Sequence, residues 1–223
     1  VTERLRALAE HWVDCATMPD GELARRVRAD RIDILVDLAG HTGDNRLLVF
    51  AEKPAPVQAS YLGYPGTTGV SAIDYRISDA RADPPGEADR FSVERLLRPW
   101  PTYFCYRVPE GDCPECGPLP ARAAGQVTFG CFNNLPKVSG AFVDAAAQVL
   151  AAVPGSRLIL KSRTLSTSHV AERLRERFRR AGADLARVDL RGWEASFGGH
   201  MEAYRSIDIA LDSFPYNGAT TTC

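Results

Sequence analysis

The chain has 223 residues, of which 45% are hydrophobic and 25% charged, an ordinary globular composition with length for one or two cores. Twenty-seven Lys and Arg against 28 Asp and Glu leave a formal charge of -1. That balance excludes the broad basic footprint of a bulk nucleic-acid binder, though not a local basic pocket for one diphosphate, and no apolar run reaches the roughly 18 to 20 residues that span a bilayer. The opening VTERLRALAE has neither an initiator Met nor the apolar stretch of a signal peptide, and the closing NGATTTC reads as the middle of a motif. Truncation at both ends is therefore expected. The six cysteines are scattered; only Cys113 and Cys116 are close, as C-P-E-C with no second pair or nearby His, which favours free thiols and a cytoplasmic setting over a zinc site.

In chain order, Asp20 is expected to N-cap a helix that carries Leu23 and Val27 on one face, followed by a buried strand from Ile32 to Leu38. Arg46 to Glu52 reads as a short helix stopped before Pro54, and Val57 to Tyr61 and Tyr75 to Ser78 as strands. From Pro84 to Pro120 the chain holds eight of its 15 prolines, so this stretch is expected to be irregular, with an interdomain linker over about 106 to 124. Beyond it, Val127 to Phe132 reads as a strand, and Phe142, Val143, Ala146, Val149, Leu150 and Val153 form one face of a helix that Pro154-Gly155 ends. Arg157 to Lys161 is a strand, and Val170, Leu174 and Phe178 recur at four-residue intervals along the next helix. Val188 to Leu190, Phe197 to Arg205 and Ile207 to Leu211 then read as strand, helix and strand. This alternation predicts an α/β fold with parallel sheets in two lobes, 1–118 and 119–223.

In such sheets ligands bind on the loops beyond the carboxyl ends of strands. Four places qualify. The segment Asp212 to Thr222 follows a strand; Gly218 permits a tight turn and Thr220, Thr221 and Thr222 offer hydroxyls and amide N–H groups where a helix should begin. It reads either as an anion site or as a loop capped by threonine. Lys137, at the end of F-N-N-L-P-K, stands before a helix, where a cation is misplaced unless an anion offsets it; the other reading is a solvated surface lysine. His200, early in a short helix, is either a ribose or phosphate contact or an exposed polar residue. The loops 40–46 and 62–69 are rich in small residues that let a ligand approach the backbone, or are plain tight turns. No D-x-D or similar carboxylate cluster sits in a loop suited to Mg²⁺; Asp30, Asp33 and Asp208 read as structural. A diphosphate would then have its charge offset by Lys, helix N-termini and hydroxyls.

Seven segments together carry a resemblance. D-L-A-G-H-T (37–42), K-P-A-P-V-Q-A-S-Y-L-G-Y-P-G-T-T-G (53–69), I-D-Y-R-I-S-D (73–79), A-D-P-P-G (82–86), V-T-F-G-C-F-N-N-L-P-K (127–137), V-P-G-S-R-L-I-L-K (153–161) and I-D-I-A-L-D-S-F-P-Y-N-G-A-T-T-T-C (207–223) resemble the protein O-linked N-acetylglucosamine transferase family, closest to its SPINDLY-like branch of bacterial type.

The resemblance implies two Rossmann-like lobes of GT-B architecture, both incomplete here, and inverting, metal-independent transfer of N-acetylglucosamine from UDP-GlcNAc to Ser or Thr of acceptor proteins. GDP-fucose is the alternative donor, toward which Asn134 and Phe214-Pro215-Tyr216 lean; a non-catalytic nucleotide-sugar-binding scaffold is the alternative of another class. No further cofactor is implied. Tetratricopeptide repeats are expected upstream, and the chain is expected to be inactive alone. By position, Lys137 resembles the lysine that stabilises the departing diphosphate. Asn134, His200, Asn217, Gly218, Thr220 and Thr221 match donor-binding positions. His41, Arg46, Leu62, Gly63 and Pro65 match positions near the sugar and acceptor. Ala219 and Phe197 depart from the family's His or Thr and Lys at those places.

Overall fold

The computed structural model describes residues 2–107 and 114–223. Two compact units divide the chain, Val1–Cys105 and Tyr106–Cys223. The described part of the Pro-rich stretch after Cys105, expected in the first lobe as far as 118, goes with the second unit.

The first unit runs α1 (Thr2–Arg6), α2 (Asp20–Ala29), β1 (Ile34–Asp37), α3 (Leu47–Ala51), β2 (Val57–Ser60), β3 (Tyr75–Ile77) and β4 (Arg95–Leu97). The four strands form one parallel sheet in the order β1-β2-β3-β4. Ala24 of α2 packs with Leu47, Val49 and Phe50 of α3 and with Ile73 to form the core of this unit. Three expectations need correction. Pro19, not Asp20, is the N-cap of α2, and it makes no side-chain cap bond; Asp20 lies inside the first turn, where a carboxylate is favoured by the helix dipole, and accepts from Arg46 at 2.6 Å. The strand β1 is not buried on both sides. Its side chains alternate, so Leu35 and Asp37 face inward while Ile34 (62% exposed), Val36 and Leu38 stay open to solvent. The strand β4 was missed, because its three residues lie inside the proline-rich stretch and make up too short a run for periodicity to register.

The second unit comprises α4 (Ala121–Ala124), β5 (Thr128–Cys131), α5 (Gly140–Ala152), β6 (Arg157–Lys161), α6 (Ser168–Arg180), β7 (Val188–Arg191), α7 (Phe197–Glu202) and β8 (Ile209–Ala210). Ser139 caps α5 by accepting from Phe142 N at 3.0 Å. The strand β6, Arg157–Lys161, and the helix α6 with its four-residue repeat have the expected bounds within two residues; four of the five β6 residues are buried. Its sheet is parallel, in the order β7-β6-β5-β8. On one face α5 and α6 bury Phe142, Leu150, Leu174 and Phe178 against Leu158 and Leu160; on the other, Phe132, Ile159 and Ile207 pack with Tyr204. Phe178 is fully buried, and emptying its place would cost about 3–5 kcal/mol. Asp208 is structural as expected, its two oxygens accepting from Ala121 N and Thr128 N at 2.8 Å each.

Among the described residues no helix is long and apolar enough to cross a membrane. Cys113 lies outside the described residues, so the C-P-E-C pair is not defined; Cys15, Cys105, Cys131 and Cys223 carry free thiols.

Candidate functional site

The strand order of the second unit decides where a ligand can sit. The chain runs outward from β5 through β6 to β7, then returns to place β8 on the opposite side of β5. The strand order reverses between β5 and β8, and such a reversal opens a crevice at the carboxyl ends of the two strands. A cavity of about 500 Å³ lies there, bordered by Phe132 and Asn133 after β5, Asp212 and Thr220–Thr222 after β8, and His200 of α7.

Asp212 organises the loop after β8. Its carboxylate accepts from Gly218 N at 2.7 Å, from the Asn133 amide at 2.6 Å and from the Thr222 hydroxyl at 3.1 Å. Burial pushes this carboxyl up, but the donors outweigh it and hold it below the usual range. Asn133 and the fully buried Ser213 brace the same loop: the Asn133 amide also reaches Ser213 Oγ at 2.9 Å, and Ser213 Oγ donates to Tyr216 O at 2.9 Å. Gly218 sits so tightly that a Cβ there would meet Thr222 Oγ1 at 2.3 Å and Asn133 Oδ1 at 2.6 Å.

Where a helix start was expected, Thr220 to Thr222 form a hydrogen-bonded turn in which Thr222 N and Cys223 N both donate to Ala219 O at 3.1 Å. Among the described residues the amide N–H groups of Thr220 and Thr221 have no backbone acceptor, and both threonines border the cavity. Two unspent N–H donors beside hydroxyls suit an anion.

Lys137 ends a 3-10 turn, Leu135–Lys137, directly after β5. Its ammonium donates to Asn217 O at 2.8 Å and lies 4.4 Å from the centroid of the Tyr216 ring. Lys137 is thus tied to the loop that carries Asn217, Gly218, Thr220 and Thr221; of these five, Thr220 and Thr221 border the cavity, and Lys137, Asn217 and Gly218 lie outside its lining. His200 borders the cavity from α7, a helix capped by Ser196 through Gly199 N at 3.0 Å. Burial, then the neighbouring Lys161 ammonium, lower the His200 pKa against the opposing effect of Glu194. Asn134 is exposed and outside the cavity wall; its carbonyl accepts from Lys137 N at 2.9 Å.

Asn133, Asp212 and Lys161 lie at or beside the site without being among the residues expected there. The first is the twin of Asn134, and nothing local says which of two adjacent amides turns inward. Asp212 carried a readable signal, a carboxylate immediately after a strand and six residues before a glycine. Lys161 had one too, a cation closing an apolar strand at its carboxyl end.

In the first unit the loops after β1 and β2 lie side by side. Asp37 accepts from Ala39 N and Gly40 N at 3.1 and 2.8 Å, shaping the turn that carries His41, whose ring meets Tyr64 edge-on at 5.1 Å. Leu62 has φ of 64° and is 41% exposed. At Gly63 a Cβ would lie 1.9 Å from Leu38 O, so the two loops can approach only with glycine there. Pro65 O accepts from the buried Arg76, which is paired bidentately with Asp83 at 2.8 and 2.9 Å. Arg46 is turned to the interior of its own unit: it donates to Cys15 O, Ala16 O, Met18 O and Asp20, and so ties the 15–20 segment to α3.

Residues 2–106 match the profile of glycosyl transferase family 41. Over 212 residues, 95% of this chain, the sequence is 42% identical to the probable UDP-N-acetylglucosamine–peptide N-acetylglucosaminyltransferase SPINDLY of Arabidopsis thaliana, and 43% identical to its namesake from Solanum lycopersicum. It is 34% identical, over 165 residues, to the Arabidopsis thaliana protein of the same description called SEC. A lysine-to-methionine mutant of the Thermobaculum terrenum O-GlcNAc transferase superposes with a TM-score of 0.91 at 38% identity, covering 99% of this chain and 41% of that one. The chain spans 23% of the length of the two SPINDLY relatives and 17% of SEC. Its two parallel α/β units are the GT-B fold that the resemblance implied. Matching sequence along nearly all of its length and matching fold in both units lead to one conclusion: the chain belongs to the O-GlcNAc transferase family, glycosyl transferase family 41.

Proposed function

We propose that this protein, of the SPINDLY-like branch, transfers N-acetylglucosamine from UDP-GlcNAc to Ser or Thr hydroxyls of acceptor proteins, with inversion and without a metal ion. The observation that carries the reading is the bond from the Lys137 ammonium to Asn217 O, on the same loop whose Thr220 and Thr221 border the β5/β8 crevice. In the transfer, the acceptor oxygen bonds to the anomeric carbon as the bond from that carbon to the diphosphate oxygen breaks, and the proton of the acceptor hydroxyl is released to solvent, leaving the glycosylated acceptor, the nucleoside diphosphate and one proton. The leaving diphosphate gains negative charge. Lys137 and the N–H groups of Thr220 and Thr221 are preorganised donors for that charge. His200 serves the nucleotide portion from the cavity wall. The activities for which the SPINDLY and SEC relatives are named support the donor and the peptide acceptor. The free thiols accord with a cytoplasmic location. Tetratricopeptide repeats upstream remain part of this proposal, in keeping with the small share of each relative that the chain spans.

A donor screen on the full-length protein tests this reading. UDP-GlcNAc, GDP-fucose and controls are offered with a peptide library, with and without EDTA. Transfer from UDP-GlcNAc that EDTA does not alter is the expected result. Transfer from GDP-fucose alone would make the protein a fucosyltransferase, and UDP binding with no turnover would make it a scaffold.

A further inference from the structure

Lys161 closes β6 at its carboxyl end, only 5% exposed, and no carboxylate among the described residues forms an ion pair with it. A buried ammonium without a counter-ion is costly unless its protons are bonded. Its Nζ lies 2.5 Å from His200 Nδ1, with the Phe132 ring centroid at 5.5 Å.

We propose that Lys161 is a positioning residue for His200: its ammonium donates to Nδ1 and so holds the imidazole as the neutral Nε2–H tautomer, a hydrogen-bond donor and not a base toward a nucleoside diphosphate in the cavity. The ligand half of this statement rests on the functional reading above; the tautomer half does not.

An ammonium has only donors, and an imidazole nitrogen accepts only when it carries no proton. An imidazolium would bring two cations together at 2.5 Å. The contact therefore selects the neutral ring with its proton on Nε2, the one nitrogen left to meet a ligand, since His200 borders the cavity. The charged and titratable groups around the pair act with and against this. Burial, first of all, lowers the Lys161 pKa from its ordinary value, and Arg191 of β7 adds to that; Glu194, from the loop before α7, favours a proton on both partners. Tyr204, from the turn after α7, meets the His200 ring edge-on at 5.5 Å and has its own hydroxyl pKa raised by burial, so it brings no charge. Burial and Lys161 prevail over Glu194, and the His200 pKa falls. A lowered histidine pKa leaves the ring neutral from below its ordinary value of about 6.5 upward.

The experiment is long-range ¹H–¹⁵N NMR of the full-length protein labelled at histidine, with the His200 signal identified by its loss in His200→Gln. The wild type is expected to show the Nε2–H tautomer unchanged from pH 6 to 8. Lys161→Met is expected to mix the tautomers, to raise the titration midpoint, and to make UDP affinity vary with pH between 6 and 7. Lys161→Arg, which keeps a donor, is expected to restore the wild-type pattern. A wild-type Nδ1–H tautomer, or a Lys161→Met ring with unaltered tautomer and midpoint, overturns the proposal. Should Lys161→Met fail to fold, the wild-type tautomer and the Lys161→Arg spectrum decide by themselves. If the tautomers behave as expected while neither UDP nor GDP binds, positioning by Lys161 stands and the donor reading falls.

Discussion

The ammonium of Lys137 and the carbonyl of Asn217 meet at 2.8 Å across 80 residues of sequence. That bond ties the turn after β5 to the loop after β8, and it brings the positive charge within the same few residues as Thr220 and Thr221. Had Lys137 lain on the opposite side of the sheet, no common anion site would exist.

If this charge acts on the departing diphosphate, Lys137→Ala lowers kcat by about 10²- to 10³-fold, the usual cost of removing one preorganised donor to developing charge. The KM for UDP-GlcNAc is expected to move by less than about tenfold, because the ground-state diphosphate still has the threonine N–H groups. Steady-state kinetics on the full-length protein check this; an unchanged kcat removes Lys137 from the chemistry.

The loop after β8 owes its shape to the Asp212 carboxylate and its donors from Gly218, Asn133 and Thr222. Because these donors lower its pKa, the carboxylate's contribution is complete above the unfolded value of about 3.9 and is lost as pH falls through the folded one. Asp212→Asn presents an NH₂ where an acceptor is needed. UDP affinity is expected to drop about tenfold, the scale of one charge-assisted hydrogen bond, and Tm at pH 7 is expected to fall as the carboxylate's contribution is lost. Calorimetric titration with UDP reads it, and equal affinities would show that the loop holds without the carboxylate.

Glu94 does the same in the first unit, but buried. At 4% exposure it accepts from Thr67 Oγ1 at 2.7 Å, Thr68 N at 2.6 Å and the Thr68 hydroxyl. Burial alone would raise its pKa; the hydroxyl and backbone donors prevail and lower it. Its stabilisation is therefore present above the unfolded value of about 4.3 and is lost as pH drops through the folded one. Glu94→Ala leaves Thr68 N without its acceptor and is expected to cost about 1–3 kcal/mol at pH 7. The Tm difference from wild type should shrink toward pH 3. A difference constant with pH would mean that packing, not the carboxylate, is responsible.

Gly63→Ala puts a methyl group against Leu38 O and C, backbone atoms that cannot rotate away. A loss of about 1–3 kcal/mol follows from overpacking of this kind, whereas Gly43→Ala, where a Cβ meets nothing within 4 Å, is the neutral control. Thermal melts of the two variants side by side test the point; equal Tm values would show that the loops after β1 and β2 separate without cost.

By itself the sequence determined the alternation of helices and strands in the second unit, the α/β class and the family. Periods of 2.0 and 3.6 residues are local properties, and the long motifs at 53–69 and 207–223 stand contiguous in the chain. Lys137, Gly218 and the threonines were legible as candidates because each lies in a segment that follows a strand. What the tertiary structure decided is orientation and partnership. Asn133 turns into the crevice and Asn134 to solvent, although the two are chemically the same. Arg46 is spent on carbonyls of the 15–18 segment, and Ile34, Val36 and Leu38 form a face that no described element covers. Lys161 meets His200 only because β6 lies beside β5 on the side from which α7 returns. Such contacts join residues tens of positions apart, and their geometry is set by strand order, which no local period encodes.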